Sequence, residues 1–187
     1  MDTSQEILNQ LAENLIKEAD EGAAFNFGGA WHSDFSFLER PPSYTLLHAV
    51  DVPAFGGDTV FTSMVAALEW LPGDLREVVE RPGVRGVHSA RDAYSPKLQA
   101  LHDGLGSMDI RTDESANAAR THPLCCTHPT SGKPVLFFNQ TYVRGIEGLE
   151  DGTEAELRHR LHVHSTEHRF TFRHRWRDGD LVIWDNR

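Results

Sequence analysis

The sequence predicts a mainly β domain with helices, an α+β arrangement built on an antiparallel jelly roll. Three observations lead there. Short apolar or alternating runs, at 43–52, 59–62, 84–90, 168–175 and 181–187, are separated by turn-forming Pro, Gly, Asp and Asn. A helical stretch at 64–79 interrupts them. Residues 125–139 read as a β-hairpin folded about Pro129-Thr130-Ser131-Gly132. Short strands joined by turns around a helical insertion are the pattern of such a roll, whose mouth lets side chains from distant strands meet.

In chain order, Thr3-Ser4-Gln5-Glu6 is a capping box, and Ile7, Leu8, Leu11 and Leu15 follow at helical spacing, so a helix is expected over 3–13. Residues 15–17 fit the end of that helix and the start of a strand equally. A glycine-bearing loop over 20–29 delivers the chain to Trp31. A strand carrying His32 and Asp34 comes next, then the break Glu39-Arg40-Pro41-Pro42. Residues 43–52 read as a buried strand, Pro53 to Asp58 as a tight turn, and 59–62 as a short strand. Val65, Leu68, Leu71, Leu75, Val78 and Val79 give one or two amphipathic helices broken at Pro72-Gly73, with Asp74 capping the second. Residues 91–120 lack a period and read as a lid or a plain loop. Residues 153–164 form a helix with Glu154 and Glu156 early and Arg158, His159 and Arg160 later, as the helix dipole favours. Residues 168–175 alternate as a strand, Arg177-Asp178-Gly179-Asp180 is a turn, and 181–187 reads as a buried strand.

The length, 187 residues, suits one domain with a sizeable core. A formal net charge of -10 argues against a nucleic-acid or anionic-membrane surface, since both want basic patches. No apolar run approaches the ~20 residues that span a bilayer. The acidic, polar start is not a secretory signal. Cys125 and Cys126 are adjacent, a poor geometry for a structural disulfide. A cytoplasmic location is expected from these features.

The chemistry-bearing stretch is Trp31-His32-Ser33-Asp34. On a strand, residues i and i+2 share a face, so His32 and Asp34 can reach one metal ion while Ser33 points away. Imidazole and carboxylate are two thirds of a facial triad that leaves open positions on Fe(II). Taken alone, the same motif also fits a surface strand with a capped His and a solvated Asp. Elsewhere, His48 reads as a core or edge histidine, His128 as structural beside the hairpin turn, and His162, His164, His168 and His174 as solvated or packing residues.

Four ordered segments carry a resemblance: 31–37 with Pro41-Pro42, 52–61 (Val-Pro-Ala-Phe-Gly-Gly-Asp-Thr-Val-Phe), 127–132 and 176–187. Together they resemble the taurine dioxygenase family, which includes 2,4-dichlorophenoxyacetate dioxygenases and alkylsulfatases, from about residue 24 to Arg187. The resemblance implies a double-stranded β-helix, Fe(II), 2-oxoglutarate as cosubstrate, O2, and a small-molecule substrate oxidised as succinate and CO2 leave. It matches His32 and Asp34 to the first two iron ligands and Thr59 to the threonine that contacts 2-oxoglutarate. The family's third ligand, a His, and its 2-oxoglutarate-binding arginines fall after the Trp-Asp-Asn-Arg strand. The expectation is therefore a single domain over 1–187, incomplete at its C-terminus and truncated before the distal His, with little or no turnover by these residues alone. Two other readings compete: a non-catalytic remnant that keeps the roll and binds metal weakly or not at all, and a cupin-like module. The second would want two close histidines plus a Glu, which the Trp-His-Ser-Asp stretch does not offer. The substrate and the homo-oligomeric state are left open by the sequence.

Overall fold

The computed structural model describes residues 28–94, 96, 111–150 and 152–187; the helix expected over 3–13 lies outside them. All strand pairs among the described residues are antiparallel. Strand β1 (Tyr44–His48) opens the first pair, and β2 (Thr59–Thr62) opens the second. Helices α1 (Met64–Glu69) and α2 (Gly73–Val79) follow, separated at Pro72-Gly73 as the sequence predicts. Ser63 caps α1 by accepting the Ala66 N–H at 3.3 Å. Asp74 does not cap α2: that helix begins on Pro72 with no side-chain cap, and Asp74 instead takes Arg160 Nη2 at 2.7 Å. Proline serves there because its missing N–H would have had no helical partner.

Strand β3 (Arg85–Ser89) is the centre of a three-stranded sheet ordered β4-β3-β7, with β4 at Ala119–Pro123 and β7 at Val143–Glu147. The sequence reading assigned neither outer strand. The register shifts between Val87, opposite Gly145, and His88, opposite Val143, leaving Arg144 as the extra residue of a bulge. Short helix α3 (Arg91–Tyr94) and a 3₁₀ turn at Glu114–Asn117 occupy part of the stretch read as irregular. The expected hairpin is present: β5 (Cys125–Thr127) pairs with β6 (Pro134–Leu136). Its turn is closed by His128 N–H to Lys133 O at 2.8 Å, with Gly132 at φ 69°. Both cysteines are free thiols.

Helix α4 (Glu154–Ser165) is followed by a 3₁₀ turn (His168–Phe170), β8 (Thr171–His174) and β9 (Leu181–Asp185). Strand β8 pairs with β2, and β9 with β1. The core lies between the helices and the strands beside them: Leu68, Leu71, Leu75, Val79, Leu157 and Leu161 meet Val84, Leu124, Leu136, Phe138, Val143 and Ile146. Tight backing elsewhere uses glycine. Gly148, at φ 81°, approaches Gly83 so closely that a Cβ would collide with its carbonyl. Among the described residues no helix is long and apolar enough to cross a membrane.

The β1–β9 pair corrects the expectation of buried strands. Both alternate, with Thr45, Leu47, Val182 and Trp184 turned inward and Tyr44, Leu46, Leu181 and Ile183 about half exposed on one outer face. Such a face favours association. Replacing Ile183 by Lys is expected to lower the apparent size of the chain in concentrated solution by light scattering; an unchanged profile would detach association from this face. In the core, Leu161 is fully buried. Leu161→Ala is expected to cost about 2–5 kcal/mol in denaturant unfolding, through lost contacts and the cavity left behind.

Candidate metal centre

Residues 31–33 are not a strand: they run without regular structure into a turn over 34–37. The pairing of His32 with Asp34 survives this correction. His32 Nε2 and Asp34 Oδ1 stand 3.2 Å apart, with side chains 28% and 17% exposed. His32 Nδ1 lies 2.8 Å from the Ala30 carbonyl. A carbonyl can only accept, so Nδ1 carries a hydrogen, and on the neutral ring the Nε2 lone pair then faces the carboxylate. Two electron-rich atoms held this close call for a shared positive charge, a proton or a metal ion. Donors at right angles on an ion about 2.1 Å from each would be about 3.0 Å apart, so the pair fits a metal's edge. Fixing the outer ring nitrogen on a carbonyl is also the usual support of a metal-binding histidine.

Asp34 is oriented from behind. Thr45 Oγ1, on the inward face of β1, donates to Asp34 Oδ2 at 2.7 Å. Asn186, just past β9 and 6% exposed, donates from Nδ2 to Thr45 Oγ1 at 2.8 Å. Its Oδ1 accepts the Asp34 N–H at 3.3 Å, and its backbone oxygen accepts Ser33 Oγ at 2.9 Å. The ladder of β1 and β9 extends one step to bring Asn186 there, through Asn186 N–H to Ser43 O at 3.0 Å.

The other side of the segment is tied to β7 and β3. Thr141 Oγ1 donates to Trp31 O at 2.8 Å. Fully buried Ser36 meets His88 Nδ1 at 3.0 Å and accepts from Asn139 Nδ2 at 2.9 Å, while Asn139 Oδ1 accepts the Tyr142 N–H. His122 Nε2 reaches the Leu38 carbonyl at 3.0 Å. Between these anchors Phe35 takes φ 53°, a left-handed conformation that costs a non-glycine residue about 1–2 kcal/mol. Aromatic rings wall the pair: His32 meets Tyr142 edge-on at 6.4 Å, and Phe37 packs on Tyr142 at 4.9 Å and on Tyr94 at 6.1 Å. The Tyr94 and Tyr142 hydroxyls are hydrogen-bonded to each other, and burial pushes both phenols up, with the Asp34 charge adding to it. Both therefore stay neutral hydrogen-bond donors across the physiological range.

Thr59, the third residue singled out in the sequence, sits apart on the β2–β8 pair. Its hydroxyl accepts the Trp176 indole N–H at 2.9 Å, which leaves its own hydrogen for another acceptor. Among the described residues no group of three or more His, Cys, Asp or Glu is placed to hold a metal ion. His174 faces Asp180 at 3.2 Å, His164 is buried against the Ala67 carbonyl, and His48 is exposed on β1. His128 has a different task. It links Asp185 at 3.0 Å to Ser131 at 3.0 Å, an order of Ser, His and Asp that resembles a hydrolytic relay. The chemistry is wrong for one: the Ser131 backbone N–H also claims Nδ1 at 3.1 Å. Asp185 is already engaged by Arg187, whose hydrogen bonds lead in holding it down to about 2. The cluster clasps the hairpin turn to the end of β9.

The sequence reading missed Thr45, Asn186, Ser36, Asn139 and Tyr142. Each is an ordinary polar or aromatic residue whose role appears only when a distant segment is brought beside it. The local signals were Asn186 within the Trp-Asp-Asn-Arg stretch and Ser36 within the 31–37 segment.

Comparison with known proteins is consistent with this geometry. The model of the family described as taurine catabolism dioxygenase TauD, TfdA matches residues 3–187. The chain is 39% identical over 158 residues to an alpha-ketoglutarate-dependent 2,4-dichlorophenoxyacetate dioxygenase of Cupriavidus pinatubonensis, covering 84% of this chain and 51% of that protein. A protein of the same description from a Burkholderia strain is 35% identical over 187 residues, covering 97% and 59%. An alpha-ketoglutarate-dependent sulfate ester dioxygenase of Pseudomonas putida is 32% identical over 167 residues, covering 89% and 54%. Among solved structures, a taurine dioxygenase from Burkholderia xenovorans superposes with TM-score 0.68 at 27% identity, covering 91% of this chain and 54% of that one. AAD-2 in complex with Mn(II) and N-oxalylglycine superposes with TM-score 0.69 at 29% identity, covering 91% and 57%. The chain thus spans about half to three fifths of the length of the curated relatives it matches.

One pH effect follows from the anchoring network. Burial, with His122 adding to it, pushes His88 down to about 3. An unfolded chain takes up that proton near pH 6.5. Stability from this group is therefore whole above pH 6.5 and falls as the pH drops toward 3, by roughly 1.4 kcal/mol per pH unit. The His88 ring resonances should stay in the neutral position from pH 8 to pH 5 by NMR; a titration midpoint near 6.5 would contradict the burial argument.

Proposed function

Because the chain belongs to the taurine catabolism dioxygenase TauD, TfdA family, we propose that it forms the first two thirds of an Fe(II) centre in a 2-oxoglutarate-dependent dioxygenase that hydroxylates a small, anionic organic substrate. The observation that carries this reading is the convergence of His32 Nε2 and Asp34 Oδ1 at 3.2 Å, with the far side of each group already hydrogen-bonded. In this reading residues 1–187 are a single domain of the family, and the antiparallel pairs are parts of a double-stranded β-helix. Relatives named for 2,4-dichlorophenoxyacetate and for sulfate esters support an anionic substrate.

His32 and Asp34 are the residues that would hold the ion, and the third donor comes from outside the described residues. With 2-oxoglutarate and O2, Fe(II) bound there supplies the oxidation that releases succinate and CO2 while placing one oxygen on a substrate C–H carbon. The chain's own residues prepare the site. Ala30 fixes the His32 tautomer; Thr45 turns Asp34 outward. Phe37, Tyr94 and Tyr142 exclude water from one wall and keep its phenols neutral. Thr59 offers its hydroxyl hydrogen to a 2-oxoglutarate carboxylate while Trp176 holds the oxygen. A second reading, a roll that binds metal weakly and does no chemistry, draws on the presence of only two donors among the described residues.

Two measurements separate these readings. Anaerobic Fe(II) titration of the 187-residue chain should give weak binding that Asp34→Ala abolishes, since that change removes the only anionic donor of the pair. Binding unaffected by Asp34→Ala would end the two-donor reading. In a chain long enough to supply the third donor, 2-oxoglutarate and O2 should be consumed in an Fe(II)-dependent way. Thr59→Ala should there raise the KM for 2-oxoglutarate, one hydrogen bond to a charged group contributing roughly 1.5–3 kcal/mol. Absence of any 2-oxoglutarate turnover in that longer chain would favour the non-catalytic reading.

A further inference from the structure

We propose that Thr45 and Asn186 are positioning residues that make Asp34 a one-oxygen metal donor, an inference that rests on the two-donor reading of His32 and Asp34. Three hydrogen bonds close a ring. The Asp34 N–H goes to Asn186 Oδ1 at 3.3 Å, Asn186 Nδ2 donates to Thr45 Oγ1 at 2.8 Å, and Thr45 Oγ1 donates to Asp34 Oδ2 at 2.7 Å. The direction of each donor is forced by its neighbour. An amide oxygen accepts the Asp34 N–H, so the amide nitrogen must face Thr45. That nitrogen can only donate, so the single hydroxyl hydrogen of Thr45 is left for the carboxylate. Asn186 is 6% exposed, so water does not readily take its place in the ring.

The consequence is chemical. A carboxylate whose Oδ2 is engaged by a charge-assisted hydrogen bond presents Oδ1 alone toward His32 Nε2. The hydroxyl hydrogen of Thr45 draws on the electron density of Oδ2, which makes Oδ1 the better donor and favours binding through that oxygen alone. One-oxygen binding leaves one more position on the ion for other ligands, which a site that must also hold a cosubstrate needs. Thr45 and Asn186 touch none of the reacting atoms in this arrangement; they act through Asp34.

The test is Co(II) titration of the 187-residue chain, followed by its visible absorption, with near-UV circular dichroism to confirm that each variant folds. Thr45→Val keeps the shape and removes the hydroxyl. It should weaken Co(II) binding about 10- to 100-fold, the usual effect of losing an outer partner of a metal ligand, and shift the absorption bands as the carboxylate changes its mode. Thr45→Ala should do the same, and stands in if Thr45→Val misfolds. Thr45→Ser restores the hydroxyl and should bind as the unaltered chain does. A purely structural role would lower thermal stability and leave affinity and bands alone. Equal Co(II) binding by the unaltered chain and both hydroxyl-deleted variants, with binding lost in Asp34→Ala, overturns this inference and leaves the two-donor reading standing. No Co(II) binding at all, or binding indifferent to Asp34→Ala, overturns that reading and the inference with it.

Discussion

Everything at the candidate centre depends on the contact between the 31–37 segment and the end of β9. Asp34 lies in a turn rather than a strand, so no ladder of backbone bonds holds it. Its place is set instead by side chains on two regular elements, Thr45 on β1 and Asn186 beyond β9. Those elements are rigid because they pair with each other over five residues in register, Tyr44 opposite Asp185 through His48 opposite Leu181. The alternation that turns Leu46 and Ile183 outward turns Thr45 inward. At the last paired residue Asp185 reaches the hairpin clasp, and one step beyond it Asn186 reaches Asp34. Two adjacent residues thus tie the strand to two different parts of the molecule.

Much of this was legible in the sequence where structure is local. The spacing of His32 and Asp34 announced a shared direction, and their side chains do converge, though through an extended stretch entering a turn. The hairpin around Pro129 to Gly132 and the Pro72-Gly73 break depend on turn chemistry that neighbours in sequence decide, and both formed as read. What escaped was decided at long range. Strand β7 carries Arg144 and Gly145 in its middle, and its bulge against β3 spoils the period that would have marked it. Strand β4, Ala-Arg-Thr-His-Pro, has no apolar alternation because its two outer faces are largely wet. Nothing local tells that Thr45 will meet Asp34 or that Asn186 will meet both.

The histidines make the same point about context. Eleven in 187 residues invite a metal reading for each of them. In the fold they divide by burial: His88 and His164 are buried, the first against Ser36 and the second against the Ala67 carbonyl and the Glu167 carboxylate, while His128 and His174 are part-exposed beside Asp185 and Asp180. His32 also faces a carboxylate, but Asp34 is oriented by the Thr45 hydroxyl and the Asn186 amide, whereas Asp185 is held by the Arg187 guanidinium and Asp180 by the Arg177 N–H. Burial separates His88 further, holding it neutral where a solvated imidazole would titrate.

The ring that orients Asp34 joins residues 152 positions apart. During synthesis the carboxylate emerges early, and its amide partner must wait. At roughly 5–20 residues per second that wait is about 8–30 seconds on the ribosome. Through that interval Asp34 lacks the amide that completes its ring. The ring around Asp34 closes when the Asp185-Asn186-Arg187 stretch docks. On the two-donor reading proposed above, an ion would meet the oriented carboxylate after this docking rather than on the nascent chain.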